Sequence, residues 1–234
     1  RTYLQAMQLA AEYGAEAQQI TAHHHLGLAL LYREMKDDAA VGPHQHKAKE
    51  LGEQTTLVDW PYRWRLAQAR LKQDAGDLDA ALDLLDEARR VYVRNPAPDL
   101  HPSEALKAQV YLRQDRLSKA QAWVRERGLS PADKLNYLHE FEYITLARIL
   151  MAEGSAQQAS ELLERLRQAA EAQDRLGSVI EISIVQALTY QAQGDTSAAY
   201  AALDRALALA EPEGYVRIFV DEGEAMRLLI ADFR

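Results

Sequence analysis

The chain has no cysteine. That excludes disulfides, thiol nucleophiles and cysteine-based zinc centres. It also fits a reducing compartment, and the expected location is the cytoplasm. Valine and isoleucine are sparse, which argues against a sheet. No apolar run approaches the ~18 residues needed to span a bilayer, and no signal-like start is visible. Basic residues are in the minority: 27 Lys and Arg face 35 Asp and Glu, for a net charge of -8. Phosphate binding needs clustered Lys and Arg, so a direct nucleic-acid contact is disfavoured. An anionic membrane surface is disfavoured for the same reason. There is no GxSxG elbow, no GxxxxGK[ST] phosphate loop and no HExxH helix, so the usual nucleophile, nucleotide and metalloprotease motifs are missing. The expectation is a non-enzyme without a cofactor.

What remains is abundant helix former. The 234 residues are dominated by Ala, Leu, Gln, Glu and Arg, all of high helix propensity. That length can bury a sizeable core. The chain starts at Arg1 without an initiator Met and is read as a fragment of a longer protein.

A period runs through it. Ala29 has counterparts at Ala69, Ala108, Ala147 and Ala187, in steps of 40, 39, 39 and 40 residues. Seven residues past each anchor is a turn position: Lys36, Gly76, Asp115, Gly154 and Gly194. Twelve past it come Val41, Ala81, Ala120, Ala159 and Ala199. Sixteen past it come Gln45, Leu85, Val124, Leu163 and Leu203. The first unit fits worst, through Lys36, Val41 and Gln45. Each unit reads as helix, tight turn, helix. In Arg65–Arg90, Gly76 can end the first helix in a left-handed conformation, and Asp77 can cap the second. Leu78, Leu82 and Leu85 fill the seam at helical spacing.

These residues resemble the tetratricopeptide repeat. The likeness rests on the small anchor (Ala69, Ala187), the Gly-Asp turn (Gly76 and Asp77, Gly194 and Asp195), the small residue at the twelfth step (Ala81, Ala199) and the later Ala88 and Ala206. Two features depart from it: the period exceeds the usual ~34 residues, and the large residue early in the first helix is often missing. The extra length is expected in helices or in connections such as Arg94–Pro102 and Gly128–Asp133. The fold class implied is all-α, a tetratricopeptide-like superhelical solenoid of helix pairs. Five full pairs are expected, after a leading half unit over Arg1–Gly14 whose stripe is Leu4, Met7 and Ala11. The array covers residues 1–210, and residues 211–234 cap it within the same domain.

Three clusters invite a chemical reading. His23, His24 and His25, with His44 and His46, suggest a metal, but consecutive helical residues splay by about 100°. The favoured reading is polar, half-buried helix surface. Acidic runs such as Asp83–Glu87 alternate with Leu and read as solvated faces. Trp60 and Trp64 lie four apart and share a face; packing between units is favoured over an exposed aromatic platform.

By the repeat resemblance, first helices line a concave face. The residue after the anchor faces inward there: Leu30, Arg70, Gln109, Arg148 and Leu188. Four past the anchor come Arg33, Gln73, Leu112, Met151 and Gln191, and Arg113 follows one later in the third unit. The candidate binding residues are therefore Arg33, Arg70, Gln73, Gln109, Arg113, Arg148 and Gln191. The arginine fork suits carboxylate or phosphate, which points to a small polar or anionic ligand or an acidic peptide. The competing reading pairs these arginines internally with neighbours such as Glu34, Asp74 and Glu181.

The tail supplies a second resemblance. Ala208–Gly223, "ALAEPEGYVRIFVDEG", followed by Met226, Leu228 and Leu229, is similar to the end of the sensor region in large ATP-dependent LuxR-type transcriptional regulators, typified by the bacterial maltose regulator. That family implies an ATPase module before the repeats and a helix-turn-helix domain after them. The repeats sense a small-molecule inducer or a regulatory protein and so control self-association. On this resemblance the present segment neither hydrolyses ATP nor contacts DNA. The alternative is a stand-alone tetratricopeptide scaffold for protein partners. A helical enzyme with scattered carboxylates is a third, weaker reading. Physically, Pro212 and Gly214 end the last long helix, and Tyr215, Val216, Ile218 and Phe219 form a plug over the final pair. Glu224–Phe233 reads as a short amphipathic helix; whether Tyr215–Val220 is extended stays open.

Overall fold

A computed structural model describes residues 2–94 and 98–233. Fourteen α-helices and no strand occur among the described residues. Two compact units divide the chain, residues 1–96 and 97–234.

The first unit opens with α1 (Thr2–Glu12) and α2 (Ala15–Ile20). Two antiparallel pairs follow: α3 (Ala22–Glu34) with α4 (Asp38–Gly52), and α5 (Trp60–Asp74) with α6 (Leu78–Val91). The second unit holds three more: α7 (Ser103–Arg113) with α8 (Leu117–Arg127), α9 (Glu140–Ala152) with α10 (Ala156–Glu171), and α11 (Leu176–Gln193) with α12 (Thr196–Ala210). The tail forms α13 (Arg217–Val220) and α14 (Gly223–Asp232). The five expected pairs are therefore present.

One local device closes all five. The turn residues Lys36, Gly76, Asp115, Gly154 and Gly194 have φ of 60, 76, 57, 85 and 78°. The next amide reaches back to the carbonyl five residues earlier: Asp37 to Tyr32, Asp77 to Lys72, Arg116 to Tyr111, Ser155 to Leu150 and Asp195 to Tyr190, at 2.8–3.0 Å. That is the Schellman arrangement, in which a left-handed residue lets the terminating helix satisfy its last carbonyls. Asp37, Asp77 and Asp195 then cap the second helix, each accepting from the amide three residues on. Lys36 was off pattern in the sequence, yet its backbone is the same as that of the glycines.

The register also sets the core. Anchor alanines Ala69, Ala108, Ala147 and Ala187 are fully buried, and Ala29 is 3% exposed. Their counterparts Ala81, Ala120, Ala159 and Ala199 are fully buried too. A methyl at these places allows paired helices to approach closely, while Leu85, Leu163 and Leu203 fill the seams at 0% exposure. Each such leucine contributes roughly 2–3 kcal/mol of burial.

The ends differ from expectation in detail. α2 is an additional short helix, and Leu4 is 48% exposed rather than part of a buried stripe. α1 carries no buried residue. In the tail, Phe219, Met226 and Leu229 join the core of α11 and α12, with Tyr215 and Ile218 packed beside them. Val216 is instead 43% exposed. The segment over Tyr215–Val220 is not extended: Arg217–Val220 makes one helical turn. α14 matches the amphipathic helix foreseen at Glu224–Phe233. Of the two elongated connections, Gly128–Asp133 leaves its helix through left-handed Gly128. Its Ser130 amide donates to Asp133 at 2.9 Å, and Arg165 holds the carbonyls of Pro131 and Asp133 at 2.6 Å each. The other, Arg94–Pro102, includes residues 95–97, which lie outside the described residues.

The left-handed turns make a testable pair. A Cβ at Gly194 meets nothing within 4 Å, so Gly194→Ala should lower stability only through the backbone, by about 1 kcal/mol. Lys36→Gly should raise the stability of the first unit by about 0.5–1 kcal/mol, because the side chain there is a backbone penalty. Denaturant titration followed by amide exchange in each unit checks both signs; a neutral Gly194→Ala would contradict the turn assignment.

Candidate functional site

The helix register decides which side chains stand beside the anchors. Arg33, Arg70 and Gln73 belong to the first unit, on α3 and α5; Gln109, Arg113, Arg148 and Gln191 belong to the second, on α7, α9 and α11.

In the first unit, Arg33 reaches across from α3 to α5. Its Nε and Nη2 donate to the two Asp74 carboxylate oxygens at 2.6 and 2.5 Å. Glu34 stands 3.9 Å away. The paired side chains keep 13% and 17% of their exposure. Arg33 thus holds a carboxylate of its own chain in the planar, two-bond geometry that a ligand carboxylate would take. Arg70 and Gln73 are half-buried on the same α5 helix.

In the second unit, Gln109 donates to the Thr145 hydroxyl at 2.9 Å, tying α7 to α9. The Thr145 hydroxyl in turn donates a hydrogen bond to the Phe141 carbonyl at 2.8 Å. Arg113 is exposed at the end of α7, and Gln191 is half-buried near the end of α11. Arg148 is largely enclosed, with 19% of its side-chain exposure left. Its Nη1 and Nη2 donate to the two oxygens of Glu222, both at 2.6 Å. Burial opposes the charge, but Glu222, with help from Glu181 and Asp221, outweighs it and raises the guanidinium pKa. The buried Nε of Arg148 has no hydrogen-bond partner. Glu181 therefore acts on Arg148, but the direct partner is Glu222, seventy-four residues away.

Other paired charges sit around α9 and α10. Glu142 receives Arg127 at 2.5 Å and His139 at 2.5 Å, and Glu140 receives Arg175. Glu164 gathers Arg167, Gln168 and Gln186. Arg167 is the main cause holding the Glu164 carboxyl down at about 2. These carboxylates are matched by cations or amides and read as ties between helices.

The histidines diverge as the helix twist requires. His23 lies 3.6 Å from Asp59 and beside the Trp60 ring. His24 faces Tyr3. His25 meets His44 of α4 through a 2.9 Å Nδ1 to Nδ1 hydrogen bond. Among the described residues no group of three or more His, Asp or Glu is placed to hold a metal ion. Trp60 is 7% exposed and packs over Gly52, where even a methyl would overlap the indole. Trp64 stacks on Trp60 at 5.6 Å and is half-buried. Trp60 is thus core, as the packing reading anticipated. Among the described residues no helix is long and apolar enough to cross a membrane.

Burial, reinforced by His44, Lys47 and His24, lowers the His25 pKa to about 4. The unfolded state, at about 6.5, then binds the proton first, so stability should be lost as pH falls from 6.5 towards 4 and level off below that. His25→Gln should flatten this slope by about 1 kcal/mol at pH 5, allowing for solvent screening. Urea midpoints from pH 7.5 to 4 read the effect, and parallel curves would refute it. Arg33→Leu alone should cost about 3 kcal/mol by removing the two-bond cation partner of the half-buried Asp74. The double change with Asp74→Leu should recover more than 1 kcal/mol of that loss; a purely additive cycle would show the pair to be uncoupled.

Comparison with known proteins places the architecture. A family model described as the MalT-like TPR region matches residues 1–234. No curated protein matches the chain. The crystal structure of BtubC (BKLC) from P. vanneervenii is similar at a TM-score of 0.54 and 16% identity, covering 92% of this chain and 91% of that one. At that identity the likeness speaks to the fold alone. The family match runs the full length, through the repeats and the tail together, and the chain belongs to the MalT-like TPR region family.

Proposed function

We propose that this chain is the sensor region of a bacterial ATP-dependent LuxR-type transcription regulator, a cytoplasmic, non-catalytic module that takes up an inducer or a regulatory protein. The observation that carries this reading is the family match over residues 1–234. The tail motif Ala208–Gly223 agrees with it. Nucleotide hydrolysis and DNA contact fall to other modules, and occupancy of the repeats biases self-association.

Recognition is assigned to the polar row beside the anchors. Arg70 and Gln73 lie three apart on α5, so their side chains share a face. Arg113 ends α7, and Gln191 stands two residues before the end of α11. Such side chains suit a polar or anionic small molecule, or an acidic segment of a regulatory protein. They stand on helices whose ends are locked by the left-handed turns. Rigid placement of this kind limits the entropy lost on binding. Arg33 and Arg148 are engaged by Asp74 and Glu222, so a ligand reaches them only by exchange.

A thermal-shift screen of sugars, nucleotides and organic acids should yield a stabilising compound. Calorimetry on Arg70→Ala with Gln73→Ala, or on Arg113→Ala with Gln191→Ala, should then show at least a roughly tenfold loss of affinity in one pair. Unchanged affinity in both pairs would overturn the first-helix assignment.

A further inference from the structure

The pair that joins α9 to the tail has features that a simple tie does not need. Arg148 and Glu222 keep 19% and 11% of their side-chain exposure, so both charges are largely out of water. Glu222 stands in the turn between α13 and α14, immediately before left-handed Gly223. α13 is only four residues long, and Phe219 is its one buried side chain. A helix of one turn has no stability of its own. It is held by Phe219, by the Arg217 to Asp221 bond at 2.7 Å and by Glu222 on Arg148. Removing one partner of a buried ion pair is strongly destabilising, so α13 depends on Arg148 for its position.

Arg148 occupies the register position one past the anchor, the same as Arg70 and Gln109. Its fork holds a carboxylate through both terminal nitrogens, and the third donor, Nε, is buried without a partner. The tail carboxylate therefore stands where an anionic group would bind, and leaves the Nε donor unused. A group with three acceptor oxygens, or two carboxylates, can satisfy all of them. The exchange is also balanced in charge. With the tail docked, Arg148 faces Glu222, Glu181 and Asp221. Undocking takes away two of these carboxylates, and the incoming anion replaces them beside Arg148. An anion can thus enter only as the tail leaves.

We infer that Glu222 is a built-in competitor for an anionic ligand at Arg148, and that binding of a multivalent carboxylate or phosphate group there releases the α13–α14 segment from α11 and α12. This deepens the sensor reading and rests on it: Arg148 becomes the place where occupancy is converted into movement of the tail. The ligand class is a small polyanion, and the coupling is reciprocal, so whatever holds the tail down weakens ligand binding by the same factor.

Citrate and pyrophosphate serve as probes of the two chemistries, and hydrogen exchange over residues 217–232 reports the tail. Saturating probe should raise exchange there by roughly tenfold or more, while α9 and α10 stay protected. Glu222→Gln keeps the shape but loses the competing charge; it should bind the better probe roughly tenfold more tightly than the parent chain. Arg148→Lys keeps a charge without the fork; it should loosen the tail without probe and lose the response to it. Far-ultraviolet circular dichroism establishes that both variants are folded. A probe that binds the parent chain without altering tail exchange overturns the inference and leaves the sensor reading standing. So does equal affinity in the parent chain and Glu222→Gln. If neither probe binds even Glu222→Gln, Arg148 is not an anion site and the inference falls. The sensor reading then fails separately only if the wider compound screen is also empty.

Discussion

Every helix pair in this chain is closed by one residue whose backbone is left-handed. At Gly76, Gly154 and Gly194 that conformation is nearly free; at Lys36 and Asp115 it is imposed on a side chain. The turn holds because it satisfies the last carbonyls of one helix and starts the next within two residues. Everything else follows from that tight reversal. The anchor alanine and its partner twelve residues on are brought face to face. In the last four pairs neither carries more than a methyl, so the two helices seat closely, and the larger Leu85, Leu163 and Leu203 fill the seam beyond them; the first pair has Val41 at the second place. A bulkier anchor would push the pair apart, and no change in the turn could compensate.

Because the turn fixes the register, it also fixes where charge can stand. The residues one and four past the anchor sit beside it on the first helix, most of them half-buried, and several are arginine or glutamine. For Arg33 and Arg148 the partner is a carboxylate of the same chain. Arg33 has Asp74 within the first unit, and Arg148 has Glu222 from the tail of the second. The overall charge of -8 makes this unsurprising: carboxylates outnumber cations, and an enclosed arginine will find one. On the proposed sensor reading, binding at such positions would be a competition between an internal carboxylate and an external anion. The sensor role proposed for a MalT-like TPR region is compatible with that competition, since a sensor must convert occupancy into a change elsewhere.

Much of the fold was legible in the residues, for a local reason. Small anchors at 39 to 40-residue spacing and glycines at the turn report short-range constraints that any copy of the unit must obey. Lys36 and Asp115 were less legible because only glycine advertises a left-handed backbone; their conformation is inherited from the register. α2 and α13 were missed because helices of six and four residues leave too short a pattern. Of the ion pairs, Arg33 with Asp74 was foreseeable, both lying near the ends of consecutive first helices. Arg148 with Glu222 was not, since the partners lie in different kinds of segment with a whole helix pair between them. Glu222 was visible only as part of a tail motif, and nothing local marks it as a counterion. Val216 misled as part of the plug because it was grouped there on its apolar side chain alone, before the helical turn that leaves it 43% exposed was known.

The measurement nearest to the central claim is residue-resolved amide exchange at the five turns. The amides of Asp37, Asp77, Arg116, Ser155 and Asp195 sit in short reversals, where loop amides ordinarily exchange within seconds. Each is bonded to a carbonyl of the preceding helix. All five should therefore exchange as slowly as the interior of the helices they terminate. Fast exchange at these five positions beside protected helices would mean that the pairs are not closed by this turn, and the account of how the register places Arg33, Arg70 and Arg148 would fall with it.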